Sequence, residues 1–334
     1  MIKTAALAVP EIVQGEILLA PLPLSPDQHP AAVYLASLSP RSRRTIGGDL
    51  NTLARLLSSG RCDLVSLDWA ALRYSHCAAL RAAVAGRYAH TTANRMLSAL
   101  RGVLKAAWRL GQLPTEEYHR AIDLNAVHGE TLPRGRALSS GELRALFSIC
   151  NDGKNAGVRD QALLGMLYGC GLRRAEAVAL DVGDYSQEAN ELKVRFGKGN
   201  KQRNVYLPPG AKTALDKWIW LRGETVGHEE DGPLFLPVLK GKASVGGRIV
   251  LRRLCDQSVM DILLRRAGQA GLKKTSPHDF RRTFISDLLD AGADIATVQK
   301  MAGHSSVSTT ARYDRRGEAA KQRAASLLHV PVSD

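Results

Sequence analysis

The 334-residue chain lacks the marks of several large protein classes. No apolar run approaches the roughly 18 residues that a membrane-spanning helix needs. The opening MIKTAALAVPEIVQ turns polar almost at once, so a signal peptide is not expected and a cytoplasmic location is. Five cysteines, Cys62, Cys77, Cys150, Cys170 and Cys255, are scattered, odd in number and form no CxxC pair. Free thiols in a reducing compartment are the simplest expectation. There is no internal repeat and no low-complexity tract. A GxxxxGK[ST] phosphate loop is missing, which argues against nucleotide hydrolysis. HExxH is missing too, and His278 and His304 stand 26 positions apart without a cysteine companion. Asp279, Asp287, Asp290 and Asp294 fall out of helical phase for an acidic cluster. No metal and no other cofactor is expected.

What the chain does carry is positive charge. Its 46 Lys and Arg against 32 Asp and Glu leave a formal charge of +14. An excess of that size favours a polyanionic partner, and nucleic acid leads over an acidic membrane. The 45% hydrophobic content supports a sizeable core, and the length fits two domains.

Residues 1–30 hold Pro10, Pro21, Pro23, Pro26 and Pro30 and read as a tail. Residues 31–124 read as helical. The segments are AAVYLASL, SRRTIGGDLNTLARLL, SLDWAALRYSHCAALRAAV and TTANRMLSALRGVLKAAWRLG, with a short fifth helix after Pro114. Ser66 and Thr91 suit N-caps, while Gly60, Gly86 and Gly111 suit stops. In the fourth segment Met96, Leu100, Val103, Leu104, Ala107 and Leu110 form one stripe. Arg101, Lys105 and Arg109 form another on nearly the opposite side. The second stripe is either a solvated face or a row of phosphate contacts. RSRR, carrying Arg41, Arg43 and Arg44, adds a basic patch at another helix start.

Residues 125–137 mix Gly, Pro and Arg and read as a basic linker, able to let two domains close around a duplex. A second domain, 138–334, opens on the capping box SSGE. It continues with helices over 141–150 and 157–168, a short helix after GLRR, a hairpin and then mostly helix. The hairpin pairs ELKVRF with QRNVYLP through GKGNK. The fold class is therefore mainly α with one small β-sheet.

Several weak signals converge in this second domain. Arg173 stands at the mouth of a short helix, where unpaired N–H groups favour phosphate, and Glu176 is placed to hold a guanidinium. An ordinary surface arginine is the plainer alternative. Lys198, with Lys201 close by, rides the hairpin turn and has no acidic neighbour in sequence. His278 and Arg281 share a helix face, with Phe284 and Leu288 toward the core. In GHSSVSTTARYD, residues 303–314, Tyr313 lies nine positions beyond His304. Most tyrosines pack or cover a surface, and an unaided phenol titrates near pH 10 and attacks poorly. Two arginines, two histidines and a lysine supply what the phenol lacks. The set suits attack of a protein hydroxyl on a phosphodiester, with guanidinium groups offsetting nonbridging charge.

GCGLRRAEAVAL, GKGNKQRNVYLP, SPHDFRRTFISDLLDAGADIATVQKMAGHSSVSTTARY and LPRGRALS together resemble the tyrosine recombinase (phage integrase) family, most closely its compact two-domain Xer-type members. The resemblance covers most of 132–316 and implies an α+β catalytic domain over 138–334 with a C-terminal helix. It also implies a helical, SAM-like core-binding domain over 31–124. By position, Arg173 and Arg281 would clamp the scissile phosphate, and His304 would stabilise the pentavalent transition state. Tyr313 would attack, forming a 3′-phosphotyrosyl bond and releasing a 5′ hydroxyl. Lys198 would protonate that oxygen, and His278 would assist as base or positioning donor. The implied partners are double-stranded DNA with a specific target site, further copies of the chain in a tetramer on two duplexes, and a partner recombinase or accessory protein. Strand exchange would run through a Holliday junction without ATP.

One departure stands out: Arg282 occupies a position where this family commonly has histidine, so an altered surround of the site is expected. The Arg-rich stretch 240–271 is a second candidate grip on DNA. The tail GEAAKQRAASLLHVPV reads as a helix with an apolar end, packing on its own domain or, as the resemblance implies, on a neighbouring protomer. Two rival functions share these residues. One is type IB topoisomerase-like relaxation of DNA. The other is a noncatalytic DNA-binding protein retaining the fold.

Overall fold

The computed structural model describes residues 24–129, 135–195, 202–228, 232–239 and 247–314, together with Gly317, Gln322, Ala325 and Ser326. The chain separates into two compact units, Met1–Leu132 and Pro133–Asp334.

In the first unit α1 (Pro30–Ala36), α2 (Pro40–Leu57), α3 (Tyr74–Arg87), α4 (His90–Arg109) and α5 (Thr115–Ile122) surround one core. The apolar stripe of α4 forms its centre, with Met96, Leu100, Val103, Leu104 and Ala107 buried and Leu110 half-buried. Proline at the first turn suits α1 and α2, since its missing N–H has no helical partner there.

The third expected helix is shortened. Asp63 and Ser66 bond each other, and the Asp68 carboxylate accepts from Ala70 and Ala71 N–H. These local bonds compete with helical ones, so a 3₁₀ turn over Trp69–Ala71 precedes α3, and Ser66 is no N-cap. Thr91 lies inside α4, whose N-cap is Ala89, and Gly86 lies inside α3. Gly60 and Gly111 do end helical segments, each at positive φ.

Two of the basic residues bond to backbone carbonyls at helix ends within the unit. Arg101 is half-buried and donates through Nε to Ile122 O at 3.3 Å and through Nη2 to Leu124 O at 2.5 Å. It thus closes the end of α5, where unpaired carbonyls and the negative dipole end attract a cation. Lys105 and Arg109 remain exposed. Arg43 similarly donates to Leu38 O at 2.9 Å and Ala36 O at 2.8 Å at the end of α1, and like Arg44 it stays exposed. The Arg41 side chain lies outside the described residues.

The second unit opens with α6 (Ser140–Ile149), capped by Ser139 and Glu142, then α7 (Asn155–Gly169) and α8 (Arg174–Ala179). Next come β1 (Tyr185–Ser186), β2 (Glu191–Val194) and β3 (Arg203–Tyr206), an antiparallel sheet in that order. Leu192 pairs with Val205 in the β2–β3 register, and both side chains enter the core. The expected joint 197–201 lies outside the described residues, and with it Lys198 and Lys201. After α9 (Pro209–Val226) comes a second ladder that the sequence reading lacked, β4 (Val238–Leu239) with β5 (Arg248–Ile249). The chain then continues as α10 (Asp256–Gln269), α11 (Pro277–Asp290), α12 (Ile295–Ala302) and α13 (Val307–Ala311).

Within the Arg-rich stretch 240–271, Arg253, Arg265 and Arg266 bond within the unit, while Arg248 and Arg252 are exposed. Arg266 is buried and binds Asp160 and Asp152, Arg265 also reaches Asp160, and Arg253 donates to Val178 O and pairs with Asp181. A buried Asp160 carboxylate requires such partners, because an unpaired charge in the core is costly. Residues 240–246 lie outside the described residues, as does nearly all of the expected C-terminal helix. Among the described residues, no helix is long and apolar enough to cross a membrane.

Candidate active site

Five of the six residues singled out for phosphate chemistry are described, and the second unit gathers all five. Arg173 is the N-cap of α8, and Arg281 and His278 sit in the first turns of α11. His304 follows the C-cap of α12, and Tyr313 follows α13. Arg173, His278 and Arg281 line a cleft of about 320 Å³ with Arg174, Met260, Ser276 and Pro277.

Two glycine carbonyls orient the two arginines. Arg173 Nη2 donates to Gly303 O at 3.0 Å. Arg281 Nη1 donates to Gly171 O at 2.6 Å, and its Nη2 donates to Ala302 O. Both glycines have positive φ, 64° at Gly303 and 59° at Gly171. A Cβ at Gly171 would lie 2.3 Å from Phe284, and one at Gly303 would lie 3.0 Å from the Arg203 guanidinium. Only glycine meets both demands at these turns. Burial, followed by the neighbouring Arg173 charge, lowers the Arg281 pKa to about 9, so the group is still cationic at neutral pH.

A buried carboxylate completes this layer. Glu176 bonds Arg173 through its backbone N–H at 2.9 Å and its Nη1 at 2.6 Å. Arg203, on β3, binds the same carboxylate through both terminal nitrogens and sends Nε to Met301 O at 3.0 Å. Burial alone would raise the Glu176 pKa, but the guanidinium groups, Arg203 first, hold it below its ordinary range. The acidic partner of Arg173 was foreseeable as the third residue of a capping helix. Arg203 was not, because nothing local in QRNVYLP marks its reach to α8 and α12.

The two imidazoles are held neutral. Burial, then the charges of Arg281 and Arg173, pushes His304 down to about 4. His278 is also lowered, by burial first and then by Arg281. His304 Nδ1 lies 2.9 Å from Thr310 Oγ1. When the threonine hydroxyl donates there, the ring proton resides on Nε2, the form that donates to a phosphate oxygen.

Tyr313 is fixed at its backbone by Thr310 O, which accepts its N–H at 2.9 Å, and by Ser286 Oγ, which donates to its carbonyl at 3.2 Å. Its hydroxyl lies 3.5 Å from His278 Nε2, and its ring centroid 6.1 Å from that of His304 at an interplanar angle of 22°. By contrast, Tyr168 donates to Asp287 at 2.8 Å and Tyr185 to Asp216 at 2.9 Å, both in structural roles, whereas Tyr74 is exposed rather than packed. Asp279 and Asp294 act as helix caps. Among the described residues, no group of three His, Cys, Asp or Glu is placed to hold a metal ion.

The Phage integrase family matches residues 136–319. The tyrosine recombinase XerC of Chromohalobacter salexigens is 34% identical over 281 residues, covering 83% of this chain and 86% of that one. XerC of Alcanivorax borkumensis is 31% identical over 284 residues, 84% and 86% of the two chains. In fold, the chain resembles the Tn1549 transposon integrase solved with circular-intermediate DNA, with a TM-score of 0.64 at 15% identity over 90% of this chain and 99% of that one. XerH recombinase bound to a palindromic difH substrate gives 0.59 at 22% identity, over 89% and 78%. Fold and relatives together define a site-specific tyrosine recombinase of the Xer type, an enzyme that cleaves and rejoins DNA. The chain belongs to the phage integrase family.

Proposed function

We propose that this recombinase cuts a specific duplex DNA site with Tyr313 and exchanges strands through a Holliday junction. The observation that carries the reading is the convergence of Tyr313, His278, His304, Arg173 and Arg281, which come from four separate segments of one unit. Arg173 and Arg281 bind the nonbridging oxygens of the scissile phosphate, and a neutral His304 adds a donor as charge builds in the transition state. His278, neutral and 3.5 Å from the phenol, takes its proton as the oxygen attacks phosphorus. The O–P bond to tyrosine forms as the bond to the 5′ oxygen breaks, and Lys198 delivers the proton that this oxygen needs. Attack by a second strand's 5′ hydroxyl reverses the step and frees Tyr313. The phosphodiester energy stays in the covalent bond, so ATP has no part.

Residues 31–124 grip the core site, 125–137 serve as a linker and 138–334 form the catalytic domain. Lys105, Arg109 and Arg44 contact the DNA backbone, with Arg41 and Lys201 as further candidates. The active form is a tetramer on two duplexes, cytoplasmic and nucleoid-associated when bound. The relatives named XerC favour recombination over relaxation. Incubation with two copies of the host site tests this. Recombinant product with a trapped four-way junction supports it, and relaxation of any supercoiled plasmid without recombinants contradicts it.

A further inference from the structure

Three contacts tie the entry segment of the catalytic unit to α11. Arg136 N–H donates to Asp279 Oδ1 at 3.0 Å, and Leu138 N–H donates to Thr283 Oγ1 at 2.8 Å. Between them, Arg282 Nη1 donates to Gly135 O at 3.1 Å. Positions 279, 282 and 283 stand at i, i+3 and i+4 and so share one side of the helix. Gly135 suits that side closely: its φ is 82°, and a Cβ would lie 2.3 Å from Asp279 Oδ1. The segment over 135–138 is therefore fastened to the helix that also carries His278 and Arg281.

Arg282 has a second neighbour. Its guanidinium carbon lies 5.7 Å from the centroid of the Tyr313 ring, within cation–π range. Tyr313 follows α13, a helix of five residues that is too short to hold its own shape firmly. Contacts to the ring consequently matter for where the hydroxyl points. Arg282 is absent from the lining of the cleft formed by Arg173, His278 and Arg281, although its charge is felt by His278.

We propose that Arg282 is a positioning residue for Tyr313, holding the phenol for attack from an anchor on the Gly135 carbonyl. The proposal rests on Tyr313 being the nucleophile. A guanidinium suits the task because its edge donates hydrogen bonds while its face lies against an aromatic ring. An imidazole, whose farthest nitrogen is two bonds nearer the backbone, lacks that combination of reach and permanent charge. The departure at this position is thus a functional substitution, which links the entry segment to the reacting ring.

Single-turnover adduct formation on a nicked suicide duplex, with full-length protein at saturation, tests the proposal. Arg282→Ala and Arg282→Met should slow the covalent step roughly three- to thirty-fold, the range of a lost cation–π contact. Affinity for the same duplex should stay within about twofold of the parent, and Arg282→Lys should recover part of the rate. A 5′-bridging sulphur substrate should leave the defect in place, because attack rather than leaving-group protonation is impaired. A parent-like rate in Arg282→Met, an equal loss of DNA affinity, or full rescue by the sulphur substrate would each overturn the proposal. Tyr313→Phe runs alongside. An adduct that survives in it refutes the nucleophile itself, whereas an adduct lost there but formed normally by the Arg282 variants refutes only the positioning role.

Discussion

Arg203 holds Glu176 with both terminal nitrogens, Nη1 to Oε1 at 3.1 Å and Nη2 to Oε2 at 2.8 Å. The pair joins the second strand of the hairpin to the helix whose N-cap is Arg173. It also offsets a buried negative charge that would otherwise draw on Arg173 alone. Arg203→Ala should therefore cost about 3 kcal/mol, the lower end for breaking a buried pair, because Arg173 still contacts the carboxylate. Lysine cannot restore a two-pronged bond. In a urea-denaturation double-mutant cycle, Arg203→Ala with Glu176→Gln should lose less than the sum of the single changes. Additive losses would show that the pair is not coupled.

Binding to duplex DNA should weaken steeply with salt, given the +14 charge. About seven phosphate contacts would give a log–log slope of about −6. Neutralising Lys105 and Arg109 together should make that slope shallower and weaken specific and random duplexes alike. Arg101→Ala should act differently, lowering the thermal midpoint of the protein while leaving the slope unchanged, because its guanidinium closes α5. A slope change in Arg101→Ala matching that of the double variant would return Arg101 to the DNA-facing surface.

Acid should destabilise the free protein before its carboxylates titrate. His304 ordinarily titrates near 6.5 and is held at about 4 in the fold, so the unfolded chain binds more protons between those values. The stability this group supplies is complete above pH 6.5 and is lost as pH falls toward 4. His278 works in the same direction. Urea midpoints measured between pH 7 and 5 should fall for the parent and fall less for His304→Asn. Identical profiles would mean that His304 is not held neutral.

Lys198→Ala should bind the target nearly as well as the parent and cleave it slowly, by a factor on the order of 10² to 10⁴ for a lost proton donor. A substrate with 5′-bridging sulphur needs little leaving-group protonation and should restore most of the rate. Failure of that rescue would make Lys198 a binding residue instead of an acid.

Periodicity carried the helical units well, because stripes such as Met96 to Ala107 bury one face of a helix and the sequence displays that face directly. Local competition hid more. Asp63, Ser66 and Asp68 spend their oxygens on nearby N–H groups, which broke the third helix where hydrophobic spacing alone continued it. The charged stripe on α4 looked uniform, yet Arg101 alone reaches the carbonyls ending α5, a tertiary encounter that spacing does not reveal. The candidate residues Arg173, His278, Arg281, His304 and Tyr313, which the fold brings together, stand in ordered motifs that the sequence displays. The groups that orient them were less legible: Arg203 and Arg282 act across long stretches of chain, through Glu176 and Gly135.

The covalent bond itself tests the account most directly. A nicked suicide duplex should trap the parent protein as a slow-migrating band on a denaturing gel, and digestion with mass spectrometry should place the nucleotide on Tyr313. Tyr313→Phe, which removes one oxygen, should keep the fold and DNA affinity and yield no adduct. A parent-like adduct in Tyr313→Phe, or a nucleotide mapped to any other side chain, would contradict the assignment.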